Sequence, residues 1–299
     1  MPAAGRGRGV RVRMRRRGGD DQVARAVGEG GLWAFEPPLP ALFAELARRC
    51  RGDVVDVGAN TGLYSLLAVA ANRGVQVHAV EALPAVADLL GENLALNRPL
   101  ARRVRVHRLA ASDTSGRATL YLPPPTGTII ETSASLDPNF KEDVASIIEV
   151  ETRTLDELWD AVGQPVVGLV KVDTEGTEHL VLRGAERLLA ATRPVVVCEV
   201  LPRAAADELT GRLARSDYLD VRLRRDVLVV GEAVGFDPDA WNHAFVPRER
   251  LPAFEDAARV IGLAVSVECD ETVESDETVV PGGEGSSAAV RESRASEEP

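Results

Sequence analysis

Short runs rich in β-branched residues alternate with longer helical segments through the middle of this chain. Each run is almost continuously apolar, which is typical of strands buried on both faces of a parallel sheet. Such alternation builds βαβ units, so the sequence predicts an α/β fold with a mostly parallel, twisted sheet and helices on both faces. The predicted strands are Asp53–Val57, Val75–Val80, Val104–Ala110, Val166–Val172 and Val195–Glu199.

The segments around these strands complete the pattern. Helices are predicted at Leu39–Arg49, Leu63–Ala71 and Ala85–Asn97. Beyond residue 217, three more strand-like runs predict an antiparallel C-terminal edge: Leu219–Leu223, Val227–Val230 and His243–Val246. Gly116–Leu122 alternates as an extra strand, whereas Pro123–Ile147 lacks a regular pattern. In a compact domain such a long irregular insertion indicates a functional lid or a disordered loop.

Composition and charge limit the class of protein. No apolar run reaches the roughly 18 residues needed to cross a bilayer. The net charge of -11 opposes a general grip on a phosphate backbone, which needs a positive surface. Cys50, Cys198 and Cys269 lie far apart without metal-ligand spacing, which indicates free thiols in a reducing compartment. We therefore expect a cytoplasmic protein without a membrane or nucleic-acid partner, and nothing in the sequence indicates an oligomeric state.

The charge is concentrated at the two ends. Residues 1–17 hold seven arginines and no acid, and residues 269–299 hold nine acids against two arginines. Neither end has the apolar periodicity that offsets ordering entropy. We therefore predict a disordered basic tail over 1–19, a helical cap over 20–50, one α/β domain over 51–265 and a disordered acidic tail over 266–299. The basic start lacks the apolar core of a secretory signal, and Met14 is an alternative start.

A glycine turn follows the first predicted strand within Val54–Gly62. Gly58 lets the backbone turn tightly and approach a ligand, and Gly62 permits close packing as the next helix begins. A strand, a glycine turn and a helix N-terminus together suit a nucleotide-like ligand. The NAD fingerprint lacks its second glycine, because Asn60 stands where the pyrophosphate would approach. The Lys and Ser/Thr of a P-loop are also missing, since Leu63 and Tyr64 follow the turn.

Two carboxylates favour S-adenosylmethionine (SAM) as the ligand. Asp56 ends the first strand, where it can bind an ammonium group through water and would be unhelpful to a diphosphate. Glu81 ends the second strand, where its carboxylate can accept hydrogen bonds from both ribose hydroxyls, as in NAD enzymes. SAM has no phosphate and carries a cationic amino-acid group. The turn and the two carboxylates therefore predict a SAM site.

The fourth strand supplies the candidates for chemistry. Asp173 stands at its carboxyl end, where open α/β sheets place ligands. Methyl transfer to an alcohol needs a general base, and Asp173 is our first choice as base or orienting acceptor. His179, about one and a half helical turns further on, is the second choice, although a helical surface histidine is more often structural. Glu175 and Glu199 add carboxylates nearby, but no spacing marks a metal site.

Together these motifs resemble the FkbM family of SAM-dependent methyltransferases over roughly residues 50–247. The first motif is generic to SAM enzymes, whereas the Lys-x-Asp-x-Glu-Gly-x-Glu block is much more specific. The matching residues are Asp56–Gly62, Glu81, Asn93, Leu96-Asn97, Ser112-Asp113, Thr154–Asp156, Lys171–Glu178, Leu182–Ala185, Glu199 and Trp241–Pro247.

The resemblance implies a Rossmann-like class I methyltransferase whose SAM-binding domain is the segment 51–265. It implies methylation of a small-molecule or glycan acceptor with a free hydroxyl, such as a sugar or a polyketide. It also implies that Asp113 lies near the adenine amino group. The residues expected around SAM are Asp56, Gly58, Asn60, Gly62, Glu81, Ser112 and Asp113.

Two other functions remain open at this stage. A methyltransferase acting on nucleic-acid bases would show an Asn/Asp-Pro-Pro-aromatic motif, but the fourth strand here ends in Asp173-Thr174-Glu175-Gly176. No Pro-Cys nucleophile for pyrimidine chemistry is present either. A non-catalytic binding or scaffolding protein with a SAM fold is the second alternative, and the complete glycine turn with Glu81 argues against it.

Overall fold

The computed structural model describes residues 10–15, 21–31, 35–125 and 132–268. The acidic tail predicted from residue 269 onward lies outside these residues, as do parts of the basic tail and of the irregular insertion. None of the helices in the described ranges is long and apolar enough to cross a membrane.

Five neighbouring parallel strands form one side of a nine-stranded sheet, and the third of them along the chain is the edge strand on that side. They confirm the five predicted strands, with the second beginning two residues later and the third ending at His107. Their bounds are β1 (Asp53–Val57), β2 (Val77–Val80), β3 (Val104–His107), β7 (Val167–Val172) and β8 (Val195–Glu199). The strand order β3-β2-β1-β7-β8 reverses direction between β1 and β7. Ligands bind at the carboxyl edge of such a reversal in open α/β sheets.

Three strands extend this sheet at the C-terminal side, as predicted: β9 (Tyr218–Leu223), β10 (Val227–Gly231) and β11 (Asn242–Pro247). β11 pairs antiparallel with both β8 and β9, so it inserts between them, and β10 pairs antiparallel with β9. The outermost strand differs from the prediction. It is β12 (Ala264–Val267), which pairs parallel with β10.

Helices cover both faces of the large sheet, as the apolar strands require. One face packs on α2 (Leu39–Arg49), α3 (Leu63–Ala71) and α10 (Leu251–Val260). The opposite face packs on α6 (Leu155–Ala161), α7 (Glu178–Arg183), α8 (Glu186–Thr192) and α9 (Ala206–Ser216). The remaining helices are α1 (Gln22–Gly30), α4 (Pro84–Leu96) and the short α5 (Arg98–Ala101).

A second, three-stranded sheet contains the segment that follows β3. Its strands are β4 (Ala110–Ala111), β5 (Gly116–Leu122) and β6 (Ser146–Arg153), in the order β4-β6-β5. β5 confirms the predicted extra strand, whereas β6 was not predicted. The third predicted strand, Val104–Ala110, is divided into β3 and β4 because the chain leaves the large sheet after His107 and joins the small one.

The prediction of a disordered basic tail over 1–19 is wrong for residues 10–15, which pack against the domain. The Arg13 backbone N–H donates to Asn97 Oδ1 at 3.0 Å, and the Arg15 N–H donates to Asn93 Oδ1 at 2.7 Å. Between these bonds, Met14 packs against buried side chains of the domain. The sequence prediction missed this segment because its alternating arginine and apolar residues form no local helical pattern. Such an extended segment is stabilised by contacts with distant parts of the chain.

The boundary predicted at residue 265 is also too early. β12 continues to Val267, and the Glu268 N–H donates to Val230 O at 2.8 Å. The Glu268 carboxylate then pairs with the Arg222 guanidinium at 2.9 Å. A strand of four residues forms the edge of the sheet here. Four residues are too few for a strand pattern to be distinguished from the charged tail that follows in the sequence.

Candidate active site

The glycine turn brings the ends of two strands into contact. Gly58 has φ +70°, in the left-handed region, and a Cβ built on it would lie 1.7 Å from the Asp173 carbonyl oxygen. The Asp173 N–H donates to Val57 O at 3.1 Å, which holds β7 beside β1 at this level. Only glycine allows both the φ angle and this close approach. The turn therefore opens directly onto the carboxyl end of β7.

Glu81 holds the glycine turn and the chain after β2 through two backbone bonds. Its Oε2 accepts from the Asn60 N–H at 2.8 Å, and its Oε1 accepts from the Leu83 N–H at 2.9 Å. Because a carboxylate offers about four lone-pair sites, one remains on each oxygen for a diol. Burial raises the pKa of Glu81 to about 7, although the two N–H donors oppose this. Gly58, Asn60 and Glu81 all line one cavity at the sheet edge.

Asp56 lies beneath the turn and does not line that cavity. Its side chain is fully buried, and Oδ2 accepts from the Ser65 hydroxyl at 2.6 Å. Its Oδ1 is buried without a hydrogen-bond partner. Burial raises the pKa of Asp56, and the charge of nearby Lys171 opposes the shift. The structure therefore places Asp56 beneath the turn, where it supports α3 through Ser65, rather than in the cavity wall that was predicted for it.

Three other residues that were predicted to bind the cofactor, Gly62, Ser112 and Asp113, lie outside the cavity wall. Gly62 has φ +92° and packs its backbone against Leu90 at the start of α3. The buried Ser112 donates its N–H to Arg153 O, and Asp113 accepts from the Arg183 guanidinium at 2.8 Å. None of the three is among the described residues that line the cavity, whereas Ala110 and Ala111, just before Ser112, do line it.

Asp173 lines the other half of the cavity and is paired with a buried lysine. Its Oδ2 accepts from Lys171 Nζ at 2.7 Å, and this ammonium also lies 4.7 Å from the centroid of the Tyr64 ring. Burial alone would lower the pKa of Lys171, but the carboxylates of Asp173, Asp56 and Glu36 raise it overall. The lysine therefore stays cationic beside Asp173.

His179, the second catalytic candidate, lies in the first turn of α7, half-buried. It is not among the described residues that form the cavity wall. Its neighbour Glu178 serves the turn after β7 instead, because Glu178 Oε1 accepts from the backbone N–H groups of Thr174 and Gly176. The start of α7 thus places the Glu178 carboxylate at the turn after β7.

Sequence reasoning missed Glu36, a carboxylate that the N-terminal segment adds to the cavity. Its Oε2 accepts from the Tyr64 hydroxyl at 2.7 Å, and burial raises its pKa. Val23 of α1 and Phe35 line the same wall. No periodic signal marks these residues, and only the packing of the N-terminal segment over the sheet edge brings them to the site.

Glu175 and Glu199 complete the acidic half of the cavity. Burial, followed by the charge of Asp173, raises the pKa of Glu175 to about 7 and that of Glu199 to about 10. Glu175 has φ +58°, and its carbonyl accepts from the Ser135 hydroxyl at 2.9 Å. A non-glycine residue in the left-handed region is strained and needs the surrounding structure to keep it there. Such strained residues are common at functional sites.

The irregular insertion contributes to this cavity through its described part. Thr132, Ser133, Ala134 and Leu136 line the wall, and Ser135 ties the segment to the turn after β7. Residues 126–131 lie outside the described residues. Within the described ranges, no group of three or more His, Cys, Asp or Glu residues could hold a metal ion.

A parallel sheet with a strand reversal, an antiparallel strand inserted near its C-terminal end and a carboxylate-flanked glycine turn define a class I SAM-dependent methyltransferase fold. The FkbM methyltransferase domain matches residues 56–224, and the chain belongs to this family.

Particular relatives agree with this family. The chain is 31% identical over 162 residues to the 31-O-demethyl-FK506 methyltransferase FkbM of Streptomyces tacrolimicus, covering 45% of this chain and 60% of that protein. It is also similar to the crystal structure of a methyltransferase FkbM from Methylobacillus flagellatus, with a TM-score of 0.45 and 19% identity over 64% of this chain and 43% of that one. An O-methyltransferase from Bacillus cereus in complex with S-adenosylhomocysteine (SAH) gives a TM-score of 0.39 and 13% identity, over 70% and 81% of the chains.

Proposed function

We propose that this chain transfers the methyl group of SAM to a hydroxyl of a small-molecule acceptor, such as a polyketide or a sugar. When bound, SAM supplies a methyl group activated on a cationic sulfonium. The observation that carries the proposal is one cavity whose wall includes Gly58 and Glu81 on one side and Asp173 on the other. The similarity to the 31-O-demethyl-FK506 methyltransferase of Streptomyces tacrolimicus favours a polyketide acceptor.

The proposed binding of SAM at the glycine turn rests on hydrogen-bond acceptors that the turn already presents. Glu81 keeps one free lone pair on each oxygen, so it can accept from two adjacent ribose hydroxyls. Gly58 and Asn60 leave the backbone of the turn close to the ligand, and Asp56 provides negative charge beneath it. Asp113 stays a candidate for the adenine end, with one carboxylate oxygen already bound by Arg183.

The acceptor half requires a group that receives the hydroxyl proton. Asp173 meets this need by position, because it lines the cavity directly beside the turn. Lys171 holds one of its oxygens, which fixes the carboxylate and leaves the other oxygen for the acceptor hydroxyl. Glu175, whose pKa is raised to about 7, is a second proton acceptor in the same wall. His179 would need the turn to rearrange before it could serve.

The test uses SAM carrying a labelled methyl group with a panel of hydroxylated acceptors, including 31-O-demethyl-FK506 and simple methyl glycosides. We expect label in an O-methyl product, located by mass spectrometry and NMR, and tight binding of SAH by titration calorimetry. Absence of SAH binding would contradict the proposal. SAH binding without transfer to any hydroxyl would instead favour the non-catalytic alternative, and label on nitrogen or carbon would contradict the O-methyl assignment.

A further inference from the structure

A second cavity, of about 330 Å³, adjoins the first at the edge of the sheet. The two cavities share two wall residues, Glu36 and Glu199, so they lie side by side at this edge. We call this second cavity the outer groove. Besides the two shared residues its wall is formed by Pro37, Leu39, Leu223, Pro238, Asp239 and Trp241, among others.

Trp241 is the most exposed aromatic side chain in this wall. It is 54% exposed, although large apolar side chains usually find cover in a folded domain. Its backbone is held rigidly, because its carbonyl accepts from the Val200 N–H at 2.7 Å and the following residue, Asn242, pairs with Glu199. The backbone of Trp241 is therefore fixed beside Glu199, one of the two wall residues that the cavities share.

The floor and the charge of the outer groove define what it can hold. Leu39 and Leu223 are almost fully buried and form an apolar floor. Two acidic groups around it, Glu36 and Asp239, oppose an anionic ligand and accept hydrogen bonds from hydroxyls. Because burial raises the pKa of Glu199 to about 10, this group carries a proton at neutral pH and can also donate. Its Oε2 is buried without a partner.

From this geometry we infer that the outer groove is an acceptor subsite, which binds an uncharged, hydroxyl-bearing ring of the acceptor with its apolar face against Trp241. The inference rests on the proposed function, because it assigns the part of the acceptor that lies beyond the methylated hydroxyl. Aromatic side chains supply apolar contact area with little loss of conformational freedom, and polar groups around them fix orientation. An anionic ring is excluded by the carboxylates.

A matched pair of probes tests the subsite: phenyl β-D-glucopyranoside and phenyl β-D-glucuronide, which differ by one carboxylate. Each is titrated by saturation-transfer NMR against the full chain with saturating SAH. We expect the glucoside to bind and the glucuronide to bind at least about tenfold more weakly. Trp241→Ala should weaken glucoside binding at least about tenfold, and Phe236→Ala, which removes another exposed aromatic side chain outside the groove, should leave it within twofold.

SAH titration of each variant separates this inference from the proposed function. We expect Trp241→Ala to keep SAH affinity within twofold and to unfold cooperatively like the parent. Three results would overturn the subsite: equal glucoside affinity in the parent and in Trp241→Ala, equal affinity for the two probes, or no glucoside binding. If SAH still bound in that case, the proposed function would stand. Failure of the parent itself to bind SAH would overturn the proposed function instead.

Discussion

Lys171 Nζ lies 2.7 Å from Asp173 Oδ2, with the lysine side chain only 2% exposed. Lys171 lies in β7 and Asp173 directly follows that strand, where it lines the cavity beside the glycine turn. Removing one partner of a buried pair leaves an uncompensated charge, which typically costs about 3–5 kcal/mol. Asp173 is thus tied to stability as well as to the proposed chemistry.

The first prediction separates these two roles of Asp173. Asp173→Asn should lower the melting temperature and reduce kcat by about 10²–10⁴-fold, the usual scale for loss of a general base. The double variant Lys171→Met/Asp173→Asn should recover much of the melting temperature without recovering kcat. Calorimetry and the labelled-methyl assay measure both quantities. If activity returns together with stability in the double variant, Asp173 has no part in proton transfer.

The second prediction concerns Glu81. Glu81→Ala removes a carboxylate that accepts two backbone N–H groups and is proposed to hold the ribose. Because hydrogen bonds to charged groups contribute about 1.5–3 kcal/mol each, SAH should bind at least about tenfold more weakly. Asp88→Ala on the exposed side of α4 is the control and should stay within twofold. Titration calorimetry decides, and parental affinity in Glu81→Ala would remove this residue from the cofactor site.

The third prediction compares two asparagines that hold the N-terminal segment. Asn93 Nδ2 donates to Thr61 O at 2.8 Å, within the glycine turn, whereas Asn97 binds only Arg13 and Asn93. Asn93→Ala should lower both the melting temperature and SAH affinity, since it leaves a buried turn carbonyl unpaired. Asn97→Ala should lower the melting temperature alone. Equal SAH affinities in the two variants would show that the turn does not depend on Asn93.

The same contacts predict the result of truncation. A chain lacking residues 1–15 loses the backbone bonds from Arg13 and Arg15 and the apolar contacts of Val12 and Met14. Its melting temperature should therefore fall below that of the full chain, measured by calorimetry at the same pH. An unchanged melting temperature would restore the view of this segment as a dispensable tail.

The fourth prediction contrasts two glycines. Gly58→Ala would place a Cβ 1.7 Å from the Asp173 carbonyl oxygen, so the turn must move and SAH binding should be lost. Gly91→Ala in α4 meets nothing within 4 Å and should stabilise the protein by about 0.5–1 kcal/mol, since alanine favours a helix. Chemical denaturation and SAH titration report both effects. Normal SAH binding by Gly58→Ala would show that the turn tolerates displacement.

The fifth prediction is a pH dependence of the ligand-free protein. The pKa of Glu175 is raised to about 7 in the folded state, above its usual value, so the folded state binds this proton more tightly than the unfolded state. Stability from this group is present at low pH and is lost as the pH rises through about 7. The melting temperature should fall between about pH 4.5 and pH 7 and level off above that, and Glu175→Gln should make that fall smaller. An equal fall in parent and variant would assign the effect to other groups.

Local sequence determined the strands, the turn and the class of ligand. Continuous apolar runs specify strands buried on two faces, and a glycine turn with Glu81 at the next strand end needs only neighbouring βαβ units to become a site. For this reason β1 and β8 have the predicted bounds, β2 and β7 lie within the predicted runs, and Gly58, Asn60 and Glu81 meet at one cavity.

Tertiary structure alone decided which distant groups complete that cavity. Glu36 reaches it because the N-terminal segment packs over the sheet edge, Asp113 turns to Arg183, and His179 lies outside the wall. The bond from Arg13 to Asn97 joins residues 84 positions apart. Such contacts form when long chain segments close and charged groups become buried. Periodicity and turn propensity describe only a few neighbouring residues, so they do not predict these contacts. The sequence thus specified the glycine-turn edge of the cavity, and the folded chain specified its acidic half.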